Sequence, residues 1–391
     1  MDSSLAQPLY VWVSMDSSSA IQISASGIAS PSIKTVIEGD TTFIRVRAEN
    51  LPAICKFIHG SKTEVGGFGV HKSLSEAKQY IARLHMGDLF LGESIFTVPV
   101  IANADVAKAM EFQIDPKRMN DFTKKLLGAF SSRHYQILSA IQATQWIKCQ
   151  WEEIVYSRSD IEVSTYDHST MDKEFKQKSI MVTLTGSEQG NDIVILGAHL
   201  YSINDNSHSQ ELAPGADDNA SGIAVLTEVL TGIVATNFKP KKTLQIVCYG
   251  MEERGRLGSS NIAKDYKNNG KKVLGMLNFD LVGWSGNGKI FLSEDFSNAD
   301  HAELLTSLLD HYLPDLRYGF MKCNYPCSDN ASWYVNDFPG SMKEEGFSPE
   351  DMNPNYHSEN DKKDVNESYM SGFARLGVVY ISELTKGTVM C

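Results

Sequence analysis

Side chains that commonly bind metal ions recur where apolar runs of this sequence end. A histidine follows one such run directly, an aspartate and a pair of glutamates follow two others, and a pair of aspartates and a second histidine stand in polar segments. These residues are His199, Asp217, Asp218, Glu252, Glu253, Asp280 and His357. Imidazole and carboxylate groups are ligands that suit zinc. Two histidines and three carboxylates are enough for two zinc-like cations, which a bridging carboxylate would hold about 3.5–4 Å apart.

Each member of this set also has an ordinary structural interpretation. A single histidine after a strand is commonly just hydrogen-bonded, an Asp-Asp pair could cap a helix, and a Glu-Glu pair could form a solvated acidic turn. Their joint placement favours the metal site. Carboxylates that end neighbouring buried strands repel one another unless a cation neutralises them.

The elements that would position these residues alternate between strands and helices. The short apolar run 193–196 suits a strand that is buried on both faces of a mostly parallel sheet. In open sheets of this kind, ligands bind at the carboxyl ends of the strands. We therefore predict a three-layer α/β domain with a mostly parallel central sheet. Its predicted strands are 179–185, 192–198, 243–249, 273–279 and 288–292, and its predicted helices are about 220–235, 258–268 and 299–312.

The first part of the chain has a different pattern. Strand-like runs at 9–13 and 43–47, and a helix-like stretch that begins at Ser73, predict a small α+β domain. This region gathers no cluster of His, Cys and carboxylate residues, so we assign it no chemistry. The predicted domains are 1–108 and 109–391, with a linker at about 101–116.

Composition and charge exclude several classes of protein. The chain has 391 residues, of which 42% are apolar and 21% charged, and a net charge of −12. These proportions are ordinary for a globular protein, and no apolar run approaches the length of about 18 residues that a membrane helix needs. A negative field repels phosphate backbones and anionic lipid, so we expect no nucleic-acid partner and no membrane partner. The first residues lack the basic and apolar regions of a secretory signal, so either the protein has none or this sequence begins after it.

The order and spacing of several motifs resemble one known family. Residues from about 110 to 360 resemble the secreted bacterial leucine aminopeptidases, co-catalytic zinc exopeptidases of the Vibrio/Aeromonas type. The matching motifs are Gly197-Ala198-His199-Leu200, Ala213-Pro214-Gly215-Ala216-Asp217-Asp218 with Ala220-Ser221-Gly222-Ile223, Glu252-Glu253 with Gly258-Ser259, Tyr318-Gly319-Phe320 with Cys323, Cys327 and Ser328-Asp329, and Asn353-Pro354 with His357.

The resemblance implies two zinc ions and a role for each ligand. Asp218, the second of its pair, would bridge the metals. One site would be completed by His199 and Asp280, and the other by Glu253 and His357. Glu252 would be the general base, so that a metal-activated hydroxide attacks the first peptide bond of a substrate with a free N-terminus.

The resemblance also describes the pocket beside the metals. Family members have a cis peptide bond after the bridging aspartate, here Asp218–Asn219, and a disulfide at the pocket edge, here Cys323–Cys327. An apolar pocket around that disulfide and Leu281 would favour Leu-like first residues. A phenol could donate to the developing oxyanion; Tyr325 and Tyr356 are the candidates, and either could instead serve only in packing.

Finally, the resemblance implies how such an enzyme is made. Secreted members often carry an N-terminal pro-region that assists folding and masks activity, and residues 1–108 would suit that role. We therefore expect an extracellular, monomeric protein that a protease activates by cutting between the two domains.

One departure from the family pattern concerns His199. The family usually has an aspartate two residues later that orients this histidine, but this chain has Tyr201. Loss of such a partner typically costs about 10–100-fold in metal affinity or activity. Asp205 in the following loop could reach the histidine instead. We predict a looser metal on the His199 side and lower activity, not a dead enzyme.

Two other functions are compatible with this fold. Glutaminyl cyclases bind a single zinc and have no equivalent of His199, so this function is disfavoured. A non-catalytic peptide-binding module would usually have lost metal ligands, and Tyr201 is the only feature in its favour. The number of bound zinc ions and cyclisation of an N-terminal glutamine would separate these alternatives.

Overall fold

The strands that the structure describes form two separate sheets, one for each part of the chain. The structure is a computed structural model. It describes residues 10–28, 34–51, 53–54, 57, 68–86, 96, 98–168, 177–188, 190, 192–206, 210–323, 325–346, 348, 351–362 and 365–390.

The smaller sheet belongs to the N-terminal part. Its strands are β1 (Tyr10–Asp16), β2 (Thr35–Glu38), β3 (Thr41–Arg47) and β4 (Gly69–His71). Among the described residues they pair antiparallel in the order β2-β3-β1-β4. The α-helices α1 (Ser17–Ser26) and α2 (Leu74–Met86) lie in the same part of the chain. A core of its own, which includes Val13, Ile23 and Ile44, makes this a small α+β unit.

The larger sheet is mixed, with a parallel centre. Its strands are β5 (Ile161–Tyr166), β6 (Ser179–Leu184), β7 (Asp192–His199), β8 (Thr243–Tyr249), β9 (Lys272–Phe279), β10 (Lys289–Ser293), β11 (Arg317–Met321) and β12 (Gly340–Glu344). Across the described residues the order is β11-β10-β12-β9-β7-β8-β6-β5. The four central neighbours β12, β9, β7 and β8 all run parallel, so their carboxyl ends meet at one edge.

Helices cover both faces of this sheet. They are α3 (Ala104–Glu111), α4 (Pro116–Ala129), α5 (Leu138–Ile154), α6 (Gly222–Ala235), α7 (Leu257–Asn268), α8 (Ala299–Tyr312), α9 (Asn330–Tyr334) and α10 (Glu367–Thr385). Along β7, Val194 and Leu196 pack into the core on one face, while Ile193 and Ile195 pack against α7 and α9 on the other. The predicted three-layer α/β architecture is confirmed. None of the helices in the described ranges is both long and apolar enough to cross a bilayer.

The segment expected to be a linker is instead part of the larger unit. Helix α3 occupies residues 104–111, across the expected boundary at 108, and buries Val106, Ala107 and Met110 in the main core. Just before it, the Glu383 carboxylate accepts the backbone N–H of Ala102 (3.2 Å) and of Asn103 (2.8 Å). The larger unit therefore begins near residue 102. This helix has only eight residues, and its N-cap residue Asn103 makes no side-chain capping bond, so the sequence carries little signal for it.

His301 is a buried histidine that links the stability of this fold to pH. In the first turn of α8, its Nδ1 lies 2.8 Å from Ser341 Oγ and its Nε2 2.7 Å from the Tyr380 hydroxyl. Burial, together with nearby Lys343, lowers the pKa of His301 to about 3. An unfolded histidine titrates near pH 6.5. Between these values the unfolded chain therefore holds a proton that the folded chain does not.

We expect the stabilisation that comes from keeping His301 neutral to be fully present above pH 6.5 and to be lost as the pH falls towards 3. The free energy of unfolding should drop by about 1.4 kcal/mol per pH unit in this range because of His301 alone. Urea unfolding at pH 7, 6 and 5, compared between the wild type and the non-titrating His301→Gln variant, measures the difference. Identical pH slopes in the two proteins would contradict the prediction.

Candidate metal centre

The carboxyl ends of the parallel strands bring a first group of ligands together. His199 is the last residue of β7, and Asp280 directly follows β9. His199 Nε2 lies 3.1 Å from Asp280 Oδ1 and 3.0 Å from Asp218 Oδ1. All three side chains are buried, and their donor atoms lie within 4.8 Å of one another. They are close enough to share one cation.

A second group shares Asp218 with the first. His357 Nε2 lies 2.9 Å from Asp218 Oδ2 and 3.1 Å from Glu253 Oε2. The two oxygens of Asp218 therefore face different histidines, which is the arrangement that a bridging ligand needs. Imidazole nitrogen and carboxylate oxygen are donors that zinc uses, so the residues present fit two zinc ions.

The charges in this cluster depend on one another. Burial alone would raise the pKa of Asp218, but hydrogen bonds from His199 and His357 hold that pKa far below its usual range. Burial alone would lower the pKa of both histidines, but the neighbouring carboxylates raise it well above the ordinary value. The carboxylates therefore require positive charge beside them, which protonated imidazoles or divalent cations can supply.

The loop that carries Asp218 has an unusual backbone. Between residues 216 and 221, just before α6, it contains the cis peptide bond Asp218–Asn219 that the resemblance implied. Gly215 begins the loop with a φ of 54°, and a Cβ atom there would lie 2.1 Å from the Asp218 carbonyl oxygen. Only glycine fits this close approach. The Asp361 carboxylate accepts the backbone N–H groups of Asp217 and Asp218, each at 3.0 Å.

Arg133 supports the same loop, and the sequence analysis missed it. Its fully buried guanidinium donates to the carbonyl oxygens of Leu200, Pro214 and Gly215 at 2.8, 2.5 and 2.9 Å. Burial lowers the pKa of Arg133 to about 10, while Asp218 and Asp361 favour its charged form. Arg133 is therefore still a cation at neutral pH. No motif surrounds it, and the only signal for Asp361 was its place four residues after His357.

Residues 201–205 form one loop that orients both histidines. His199 Nδ1–H donates to the Tyr201 carbonyl oxygen at 2.9 Å. His357 Nδ1 lies 3.0 Å from Asp205 Oδ2, and the Asp205 N–H donates to the His357 carbonyl at 2.9 Å. The expectation that Asp205 reaches His199 was therefore wrong, because His357 already engages its carboxylate. The Tyr201 ring packs against Tyr135.

Glu252, Tyr325 and Tyr356 line the cavity beside these ligands. Glu252 is 6% exposed, and burial together with Glu253 raises its pKa well above the ordinary value. Tyr356 stacks on the ring of the histidine that follows it, with centroids 3.5 Å apart. The Cys323–Cys327 disulfide is present, and Cys327 lines the cavity. The structure thus brings the proposed metal ligands, Glu252 and the two tyrosines to one place. The carboxylate of Asp217 lies apart from them and accepts the backbone N–H of Gly283 at 2.6 Å.

The cavity is narrow, and the N-terminal unit supplies part of its wall. Its volume is about 40 Å³, room for only a few water molecules at about 10–15 Å³ each. Phe68, just before β4, lines it and is 2% exposed. Arg254 donates to the Ala48 carbonyl at 2.9 Å, and Arg256 donates to the Phe68 carbonyl and the Tyr80 hydroxyl, both at 3.2 Å.

Known proteins share this chain's sequence and fold. Residues 179–377 match Peptidase family M28. A probable leucine aminopeptidase of Arthroderma otae is 34% identical over 276 residues, which cover 68% of this chain and 71% of the relative. The structure of LapB from Legionella pneumophila, at 22% identity, aligns with a TM-score of 0.79 over 96% of this chain and 99% of LapB.

A more distant likeness bears on the alternative functions. A glutaminyl cyclase of Bacteroides thetaiotaomicron, at 14% identity, aligns with a TM-score of 0.55 over 68% of this chain and 97% of its own. This shows that the cyclase has a similar fold and no more than that. The sequence matches, in contrast, are specific. On their strength, this chain belongs to Peptidase family M28.

Proposed function

We propose that this protein is an aminopeptidase that uses two zinc ions to remove the first residue of peptides with a free N-terminus. The observation that carries the proposal is Asp218, whose two oxygens face two separate His-and-carboxylate groups. The name of the fungal relative, a probable leucine aminopeptidase, supports the same reaction.

The proposed mechanism assigns a step to each residue of the cavity. When bound, the two cations would polarise the scissile carbonyl and make a bound water molecule more acidic. Glu252 would accept the proton of that water and pass it to the leaving amine. Tyr325 and Tyr356 stand in the cavity wall, from which a phenol O–H would donate to the developing oxyanion.

We also propose that the N-terminal unit covers the site until a protease removes it. Phe68 fills part of the cavity wall, and the contacts of Arg254 and Arg256 with Ala48 and Tyr80 hold the unit in place. An ion pair between Lys264 and Glu76 adds to this interface. Substrate sites usually have volumes of about 300–1,000 Å³, so a cavity of about 40 Å³ needs this cover to move.

A single assay tests both proposals. Hydrolysis of a panel of aminoacyl p-nitroanilides with added zinc is compared between the intact chain and a chain cut at a protease site inserted between Pro99 and Val100. Val100 is 79% exposed, and a cut there leaves α3 whole. A chelator-sensitive rate of hydrolysis that rises after cutting supports both the aminopeptidase and the proposed cover. Equal rates before and after cutting would refute the cover but leave the aminopeptidase standing. No hydrolysis in either form, or one bound zinc with cyclisation of an N-terminal glutamine, contradicts the aminopeptidase.

The partners of the two histidines predict unequal zinc affinities. His357 has a carboxylate partner in Asp205, whereas His199 has only the weaker carbonyl acceptor of Tyr201. Asp205→Asn should therefore weaken the tighter, His357-side ion by about 10–100-fold. Zinc titration against a chromophoric chelator measures both affinities, and Asp121→Asn on the exposed face of α4 is the matched control. Equal affinities for the two zinc ions in the wild type would contradict this account. So would an Asp205→Asn variant whose zinc affinities match those of the wild type.

We further propose an extracellular location for the protein. The support is the Cys323–Cys327 disulfide, because disulfides persist mainly in oxidising compartments. Cells that express the complete gene should release the protein into the medium, and its retention in the cytosol would contradict the proposal.

A further inference from the structure

Glu344 is an acidic residue in the wall of the proposed active-site cavity. It is the last residue of β12, which pairs parallel with β9 so that Lys343 lies opposite Phe279. The next position along, Glu344, therefore lies one strand spacing, about 4.8 Å, from the metal-ligand candidate Asp280. Glu344 lines the same cavity as Glu252.

The Glu344 carboxylate lacks the partners that a buried charge normally has. The residue is 1% exposed, and within the described part of the chain its Oε1 has no hydrogen-bond partner. The charged groups that act on it most strongly are carboxylates, those of Asp280, Asp295 and Asp218. Since a buried carboxyl group without a partner is costly, its presence at a binding cavity points to a ligand that supplies the missing partner.

Arg256 is a cation that also lines this cavity, but it is engaged elsewhere. Its guanidinium donates to the carbonyl oxygens of Pro326 and Phe68 and to the Tyr80 hydroxyl. It is absent from the charges that act most strongly on Glu344. Within the described part of the chain, no cation is therefore placed to pair with Glu344.

The surroundings of Glu344 suit a cation at the end of an apolar stem. Met342, two residues earlier on the same face of β12, packs with Cys323 and Tyr325, and Leu281 lines the cavity beside them. The sulfur atoms of the Cys323–Cys327 disulfide lie within 4.8 Å of the Glu344 carboxylate. Lysine and arginine have this combination of an apolar stem and a charged head.

We infer that the pocket selects peptides whose first residue is lysine or arginine, with Glu344 accepting hydrogen bonds from the cationic side chain. This inference rests on the proposed aminopeptidase function and replaces the expectation of Leu-like first residues. An apolar pocket would favour leucine, but a leucine side chain would leave the Glu344 carboxylate buried without a partner.

Norleucine provides the closest uncharged comparison, because its side chain is a lysine stem without the ammonium group. We expect the cut, zinc-loaded wild type to show kcat/KM at least tenfold higher for lysyl than for norleucyl p-nitroanilide, as befits a hydrogen bond to a charged group. In Glu344→Gln the lysyl-to-norleucyl ratio should fall to within about threefold of one. Glu294→Gln, an exposed glutamate just after β10, is the matched control and should keep the wild-type ratio.

Several outcomes would overturn the inference. A wild type with a higher kcat/KM for norleucyl than for lysyl p-nitroanilide would contradict the inference directly. If Glu344→Gln lowers kcat/KM for all substrates by the same factor, Glu344 contacts the α-amino group of the substrate or supports the fold, and does not recognise the substrate side chain. If no substrate is hydrolysed, the proposed function fails. Calorimetry of free L-lysine and L-norleucine binding to the zinc-loaded protein then still tests the specificity of the pocket. Tighter binding of lysine supports recognition of its side chain by Glu344, and equal binding of the two amino acids refutes it.

Discussion

Replacing Glu252 by glutamine is expected to lower kcat by about 10²–10⁴-fold while leaving the fold and the bound zinc in place. Glu252 is 6% exposed at the cavity wall, and its carboxylate lies within 4.8 Å of the donor atoms of His199 and Glu253. The amide of glutamine has the same shape but cannot take a proton from water. A loss of this size is what removal of a general base produces.

Kinetics and metal analysis together distinguish a base from a ligand. The variant should retain two zinc ions per chain by atomic absorption and bind substrate with little change in KM, so that the loss falls on kcat. Glu294→Gln again serves as the exposed control. An unchanged kcat would show that another group moves the proton, and a variant that has lost one zinc would make Glu252 a ligand instead.

Replacing Arg133 by methionine is expected to lower the free energy of unfolding by about 3–5 kcal/mol. The change leaves the buried carbonyl oxygens of Leu200 and Pro214 without their donor, and each such loss costs about 1–3 kcal/mol. The Gly215 carbonyl also loses the guanidinium but keeps a backbone N–H donor at 3.1 Å. It also removes the buried cation that offsets the charge of Asp218 and Asp361. Methionine keeps much of the apolar volume, so the effect comes mainly from lost polar contacts.

Urea unfolding of the zinc-free protein measures this loss without interference from metal binding. Arg317→Met is the control, because Arg317 is exposed and, among the residues that the structure describes, donates to the Asn287 carbonyl alone. Its effect should stay below about 1 kcal/mol. Zinc affinity should also fall in Arg133→Met, since Pro214 and Gly215 lead into the Asp218 loop. Similar free energies of unfolding for the two variants would show that the Leu200 and Pro214 carbonyls find other donors.

The meeting of His199 and Asp280 in the proposed metal centre could be predicted because each of them lies at a recognisable position in the chain. His199 and Asp280 stand where buried apolar runs end, and parallel strands necessarily place such ends at one edge of a sheet. The apolar run of β7 is buried on both faces, which makes its strand easy to recognise. The strand predicted at 192–198 therefore differs from β7 by only one residue.

The residues that support the ligands could not be predicted in this way. Arg133 meets its partners across 67 to 82 positions of sequence, and Asp361 meets Asp217 across 144. Asp205 lies near His199 in sequence but points to His357, because loop direction and not sequence distance decides such contacts. Glu344 stands beside a second glutamate in a polar segment, and only the position of β12 places its side chain in the cavity.

The bonds between Glu383 and residues 102–103 would limit how far the chain could be shortened after the proposed proteolytic cut. A cut near Val100 creates a new free amino terminus, which other copies of an aminopeptidase will shorten one residue at a time. Trimming requires an extended, accessible end, but the Glu383 carboxylate holds the amides of Ala102 and Asn103, and the Asn103 side chain donates to the Ser382 and Gly387 carbonyls. A chain cut as proposed would therefore end its own shortening at residue 101 or 102, whatever bond was cut upstream.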